Sequence, residues 1–158
     1  MTDHGRRLLL VQHTPSPAVH DLVESLARGA NDPAIDGVQV IARPALGATA
    51  TDVLDADGYL LATPANLGYM AGALKHFFDQ IYYPCLDATA GRPYGVLVHG
   101  NNDTTGALLS IEKVVTGLGW RRAAAPLELI GAPTPDDLAA AHELGATLAA
   151  GLTLDARP

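Results

Sequence analysis

Two patterns alternate along the chain, short apolar runs without charge and apolar stripes at helical spacing. Arg6-Arg7-Leu8-Leu9-Leu10-Val11-Gln12 is apolar through its centre, as a strand covered on both faces should be. His13-Thr14-Pro15-Ser16-Pro17 stops it, with Ser16 placed as an N-cap and Pro17 at the first helical position. Val19, Leu22, Val23 and Leu26 stripe the helix that follows, and Gly29 is expected to end it. Val38-Gln39-Val40-Ile41 reads as a second strand after a turn at Asp36-Gly37, and Ala45, Leu46, Val53 and Leu54 suggest a short helix beyond it. Gly58-Tyr59-Leu60-Leu61-Ala62 is a third, uncharged strand. A polar loop, Thr63 to Tyr69, then leads into a helix on which Met70, Leu74, Phe77, Phe78 and Ile81 share one face.

Tyr82 to Gly91 reads as a loop rich in aromatic residues, and Pro93 to His99 as a fourth strand. Gly100 to Gly106 is a further polar loop, after which Leu108, Ile111, Val115 and Leu118 mark another helical stripe. Ala124 to Ile130 is the fifth strand. Thr134-Pro135-Asp136-Asp137 opens the last helix with a cap, a first-turn proline and two acids that complement the dipole. Gly151 is expected to end that helix, leaving Met1 to Gly5 and Leu152 to Pro158 as tails of one domain. Strands alternating with helices predict an α/β three-layer sandwich around a five-stranded parallel sheet. Right-handed crossovers leave few windings. The order 2-1-3-4-5 sets side by side strands one, three and four, which all end in polar, helix-starting loops.

Composition works mainly by exclusion. The 158 residues are 48% hydrophobic and 17% charged, enough for a packed core. A formal net charge of -7 without Lys/Arg clusters argues against nucleic acid and anionic membrane as partners. One cysteine, Cys85, rules out an internal disulfide. The longest apolar run near the N-terminus, Leu8 to Val11, is too short for a signal or a membrane span, so the cytoplasm is the expected location. Gly-x-Ser-x-Gly, Walker and Gly-x-Gly-x-x-Gly motifs are all missing. His13, His99 and Asp103 lack the spacing of a metal site.

In the expected topology three loops converge at the carboxyl edge of the sheet: residues 13–18, 63–69 and 99–105. An anion is expected on the first, where the helix dipole, the hydroxyls of Thr14 and Ser16 and the N–H groups of Ser16, Ala18 and Val19 favour it. His13 either adds charge there or bonds a backbone carbonyl. Pro15 and Pro17 bring no N–H to the loop.

Thr63 to Asp79 follows the pattern Thr-Pro-x-x-x-Gly-x-Met-x-Gly-x-Leu-Lys-x-Phe-x-Asp. This segment resembles the second flavin loop and following helix of flavodoxin-like FMN oxidoreductases, in the NAD(P)H-dependent FMN and quinone reductase branch. Element order fits the same family over nearly the whole chain, but the first loop departs from the family's Ser/Thr-x-Thr-Gly-x-Thr. The resemblance implies noncovalent FMN, with Thr63, Pro64, Ala65, Asn66, Leu67, Gly68 and Tyr69 bordering the flavin ring. Tyr69 stands where the family often has a polar residue. His99, Gly100, Asn101, Asn102, Asp103 and Thr104 are placed at the pyrimidine end by the same resemblance. It also implies transfer of electrons from NAD(P)H to a small oxidant such as a quinone, carried by flavin N5 without a catalytic side chain. Tyr82 and Tyr83 are expected to bind substrate in the cleft of a second copy within a homodimer. Two alternatives stay open: a flavodoxin-type electron carrier with protein partners, and a flavodoxin-like domain that no longer binds FMN.

Overall fold

The computed structural model describes residues 5–154. Three apolar strands form the centre of its sheet: β1 (Arg6–Gln12), β3 (Gly58–Asn66) and β5 (Pro93–Gly100). β2 (Val38–Pro44) pairs with β1, while β6 (Arg121–Arg122) and β7 (Leu127–Ile130) both pair with β5, every one of these pairs parallel. The order is therefore β2-β1-β3-β5 with β6 and β7 sharing the last position, the winding expected from the sequence. Strand alternation splits the core in two. Leu9, Val11, Tyr59, Leu61, Val96 and Val98 face α2 (Ala50–Asp55), α3 (Gly72–Cys85) and α4 (Thr105–Leu118). Leu8, Leu10, Leu60, Ala62 and Leu97 face α1 (Pro17–Ala30) and α5 (Pro135–Leu154). Each such leucine contributes about 2 kcal/mol by leaving water.

Several boundaries differ from the sequence reading, each for a physical reason. Gly29 does not end α1. A Cβ there would lie 1.8 Å from the His142 carbonyl oxygen, and one on Gly145 would lie 2.0 Å from that of Leu26. These glycines let α1 and α5 meet backbone to backbone, and α1 continues to a cap at Asn31. Gly151 is likewise interior to α5, so Leu152 is a buried helical residue and not part of a tail. Thr153 and Leu154 are helical as well, and of the expected tails residues 1–4 and 155–158 lie outside the described residues.

Tyr82, Tyr83, Pro84 and Cys85 form the last turn of α3, where a loop was expected. Ile81 and Cys85 extend the buried stripe of Leu74, Phe77 and Phe78, and that burial outweighs the amide missing at Pro84. Met70 lies before the helix, in the short strand β4 (Tyr69–Met70). The fifth strand is split. Arg122 pairs with Tyr94 and Leu127 with Leu97, so residues 123–126 bulge out between β6 and β7. Trp120 is a packing residue, stacked on Tyr59 at 4.0 Å between ring centroids and donating its indole N–H to Thr89 Oγ1.

Candidate functional site

The carboxyl ends of β1, β3 and β5 surround a cleft of about 270 Å³. The β1–α1 loop supplies Pro15, Ser16, Pro17 and Ala18, the end of β3 supplies Pro64, Ala65 and Asn66, and the end of β5 supplies His99, Gly100 and Asn101. Three of the expected loops thus meet at one place. None of these lining residues carries an Arg, Lys, Asp or Glu side chain.

Ser16 is the N-cap of α1, with extended backbone (φ -138°, ψ 158°), and its Oγ accepts the Val19 N–H at 3.3 Å. A hydroxyl that accepts a capping bond keeps its own proton for a ligand. No acidic residue occupies the first turn, so the positive end of the helix dipole is not neutralised by its own side chains. Val19 itself is buried and its N–H is spent on the cap, so it does not line the cleft. Thr14 turns away too, donating its hydroxyl to the Gln12 side chain. The His13 N–H donates to the Ala62 carbonyl, and His13 is not among the lining residues.

The second segment is not an open loop. Residues 65 and 66 pair antiparallel with 70 and 69, closing a hairpin around Leu67 and Gly68. Both turn residues have positive φ, 51° and 74°, as a type I′ turn requires. Glycine adopts that backbone freely, whereas leucine does so at a cost of about 1 kcal/mol. Buried polar contacts hold the hairpin down. Thr63 Oγ1 accepts the Ala71 N–H at 3.2 Å and donates to the Pro64 carbonyl, so this fully buried hydroxyl faces its own chain. Ser110 Oγ accepts the Met70 N–H at 3.2 Å, tying β4 to α4. Gly106 gives way to the Gly68 carbonyl, which would sit 2.0 Å from a Cβ. Leu67 and Tyr69 point outward, the first fully and the second 42% exposed.

In the third loop His99 is buried, with Nε2 2.7 Å from the Gly131 carbonyl oxygen. That contact makes Nε2 the donor and leaves Nδ1 for other partners. Asp103 caps α4: its Oδ1 accepts the Thr105 N–H at 2.9 Å, and this bond holds the carboxyl below the usual carboxylate range. Thr104 is buried and donates to Glu128 Oε1 at 2.9 Å. Asn102, Asp103 and Thr104 are therefore set back from the cleft that Gly100 and Asn101 line.

Tyr82 and Tyr83 are not near it. They sit in the last turn of α3, about 15 Å along the helix from the hairpin end by helical rise. A Cβ on Gly117 would touch the Tyr82 hydroxyl, so Tyr82 packs beside the end of α4. The pair thus lies away from its own subunit's cleft, as the sequence reading has it, which assigns these rings to the cleft of a second copy. Lys75 and Asp79 form a surface i,i+4 pair at 2.6 Å, which raises the Lys75 pKa. A larger groove, about 410 Å³, lies between the start of β5 and the last turns of α5, but its lining is mostly apolar, including Leu148, Ala150 and Leu154. The smaller cleft holds the converging polar groups and is the better candidate.

The molecule is an α/β domain, and the cleft lies at the topological switch point of its sheet, where such sheets bind ligands. Its fold is flavodoxin-like. An archaeal flavodoxin structure superposes with a TM-score of 0.78 at 17% identity, covering 93% of this chain and 99% of that one. A flavodoxin, WrbA-like protein from Agrobacterium tumefaciens gives 0.72 at 16% identity, covering 94% and 98%. The Flv1 flavodiiron core from Synechocystis gives 0.79 at 18%, covering 96% of this chain and 37% of that one. In sequence, a flavodoxin of Aquifex aeolicus is 31% identical over 75 residues, 48% of this chain and 40% of that protein. The match thus spans about two fifths of that relative's length. No family model matches the chain.

The donor set suits FMN. A helix N-terminus with a free capping hydroxyl fits a phosphate, and the Asn66 and Asn101 amides fit the polar edge of a flat ring. The lining adds no carboxylate to repel the anion.

Proposed function

We propose that this protein binds FMN noncovalently in the carboxyl-edge cleft and works as a redox protein. The observation that carries the reading is the meeting of three strand ends on one uncharged cleft at the N-terminus of α1. When bound, FMN supplies the capacity to accept and pass on electrons. The chain's own residues do the rest. Ser16 and the Ala18 amide hold the phosphate, while Asn66, Asn101 and the backbone at Ala65 and Gly100 orient the ring edge. Asp103, bound to Thr105, stands behind that edge as a fixed negative charge.

For the route of the electrons we propose reduction by NAD(P)H and transfer to a small oxidant such as a quinone, in a cytoplasmic homodimer. The Thr63–Asp79 pattern supports this, and the buried, unpaired Cys85 suits a reducing compartment. No helix among the described residues is long and apolar enough to cross a membrane. A second reading, an electron carrier that docks with protein partners, is favoured by the flavodoxins among the similar proteins.

FMN titrated into the protein is expected to lose its fluorescence at micromolar concentration, corresponding to roughly 8 kcal/mol of binding. Absence of binding at tens of micromolar would remove FMN and leave a flavodoxin-like domain with another role. Anaerobic stopped-flow mixing with NAD(P)H then separates the two readings: rapid bleaching of bound FMN supports the reductase, and no bleaching supports the carrier. Ser16→Ala is expected to weaken FMN binding about 10-fold and to leave riboflavin, which lacks the phosphate, nearly unchanged. Equal losses for both ligands would mean that only the helix cap had gone, a change of about 1 kcal/mol in stability.

A further inference from the structure

We propose that His99 is the proton-uptake site of the cleft, gaining a proton when electrons arrive and releasing it when they leave. The proposal rests on the FMN reading above and adds the proton that accompanies the electrons. Of the residues lining the cleft, only His99 has a side chain that titrates near neutral pH. Its imidazole is 6% exposed and held from one side, where Nε2 donates to the Gly131 carbonyl at 2.7 Å. That carbonyl is itself fixed, because the Gly131 N–H donates to the Gly100 carbonyl at 2.9 Å. Nδ1 has no partner among the described residues, and none of their fully buried side-chain nitrogens or oxygens is left unpaired. Nδ1 is therefore not sealed in, and it opens on the cleft that the residue lines.

A proton added at Nδ1 leaves the Nε2 bond intact, since both nitrogens of an imidazolium are donors. The ring gains charge without turning. Charge balance gives that proton a reason to bind. FMN brings a phosphate, and its reduction by a hydride, or by two electrons and one proton, adds one negative charge to the cleft. No Arg or Lys lines the cleft, and the dipole of α1 offers only about half a positive charge. A second proton, drawn from solvent onto Nδ1, offsets the added charge where it arises. Charged groups on the surrounding elements do not take its place. The end of β3 supplies only Pro64, Ala65 and Asn66. The first turn of α5 carries Asp136 and Asp137, β7 carries Glu128, and the loop after β5 carries Asp103. Each of these carboxylates favours an imidazolium, and none lines the cleft. His13 ends β1 outside the lining, and on α1 His20 is exposed and paired with Asp21.

Protonation and electrons are read separately in the test. In nitrogen NMR of the flavin-free wild type, neutral His99 is expected to carry its proton on Nε2. With FMN bound, its signals should change from imidazole to imidazolium when dithionite reduces the protein at a constant pH between 7 and 8. In an equilibrium titration against a reference dye, the reduced-to-oxidised ratio at fixed potential is then followed with pH. Where His99 titrates, wild type should lose about 100-fold per pH unit, two protons' worth, and His99→Gln about 10-fold, one proton's worth. His20→Gln should follow wild type. An unchanged slope in His99→Gln would overturn the proposal, since the second proton would then go elsewhere. A His99 ring with one protonation state in both forms of wild type would overturn it too, whether or not the variant holds FMN. Either result leaves FMN binding standing. Failure of wild type to bind FMN would overturn the FMN reading and the proposal with it.

Discussion

Gly106→Ala is expected to lower stability by about 3 kcal/mol, near the upper end of overpacking costs, and to abolish tight flavin binding with it. The added Cβ would fall 2.0 Å from the Gly68 carbonyl oxygen, and neither atom can rotate aside because both belong to backbone. Relief requires the hairpin to lift from α4, which pulls the Met70 N–H away from Ser110 Oγ and moves Asn66 out of the cleft. Gly68→Ala is the instructive contrast. Nothing lies within 4 Å of its Cβ position, so only the positive φ of 74° is penalised, at about 1 kcal/mol. Urea unfolding and flavin titration of the two variants check this. A Gly106→Ala protein with the wild-type midpoint and affinity would show that the hairpin is not seated on α4 as described.

Raising the pH from 9 to about 12 is expected to remove about 2 to 3 kcal/mol of stability through Tyr59. Burial pushes this phenol from its ordinary value of 10.0 up to about 12, against the opposing influence of Arg92. The folded state therefore keeps its proton where the unfolded chain has already lost it. Stability is fully present below pH 10 and drains away as pH rises towards 12, at about 1.4 kcal/mol per unit of difference. Burial raises the Tyr94 pKa as well, with the same sign. Urea midpoints measured at pH 9 and 11.5 should fall steeply in wild type and less in Tyr59→Phe. The variant starts lower, since it loses the 2.7 Å bond to the Val53 carbonyl. A wild-type midpoint that holds across this range contradicts the buried-phenol account.

Much of the frame is legible in the sequence because it depends on local rules. β1 spans Arg6–Gln12 as its charge-free centre indicates, and Ser16 caps α1 through the interaction its residue type suggests. Convergence of strand ends follows from the order of elements. What escapes is set by distant backbone. Gly29 reads as a stop, yet its missing side chain faces a carbonyl of α5, more than a hundred positions on. Leu67 gives no hairpin signal, because the turn residues that announce one are Asn, Asp or Gly, and the clamp from Ser110 and Gly106 overrides its preference. Tyr82 and Tyr83 are misplaced for a similar reason: Pro84 suggests a break, but the buried stripe through Cys85 carries the helix past it. Asp103 and Thr104 are polar residues in a polar loop, and only the structure tells a cap from a ligand contact.

The hairpin closes on itself. Thr63 at its root receives the Ala71 N–H, and the Ala65–Met70 and Asn66–Tyr69 pairs seal everything above that bond. Chain length between Asn66 and Tyr69 is thereby uncoupled from the register of β3 against its neighbours and from the start of α3. An exchange at Leu67, whose side chain is fully exposed, therefore leaves the sheet beneath in step. The segment is a side fitting, anchored at Thr63 below and at Ser110 and Gly106 beside it, on a frame whose register it does not set.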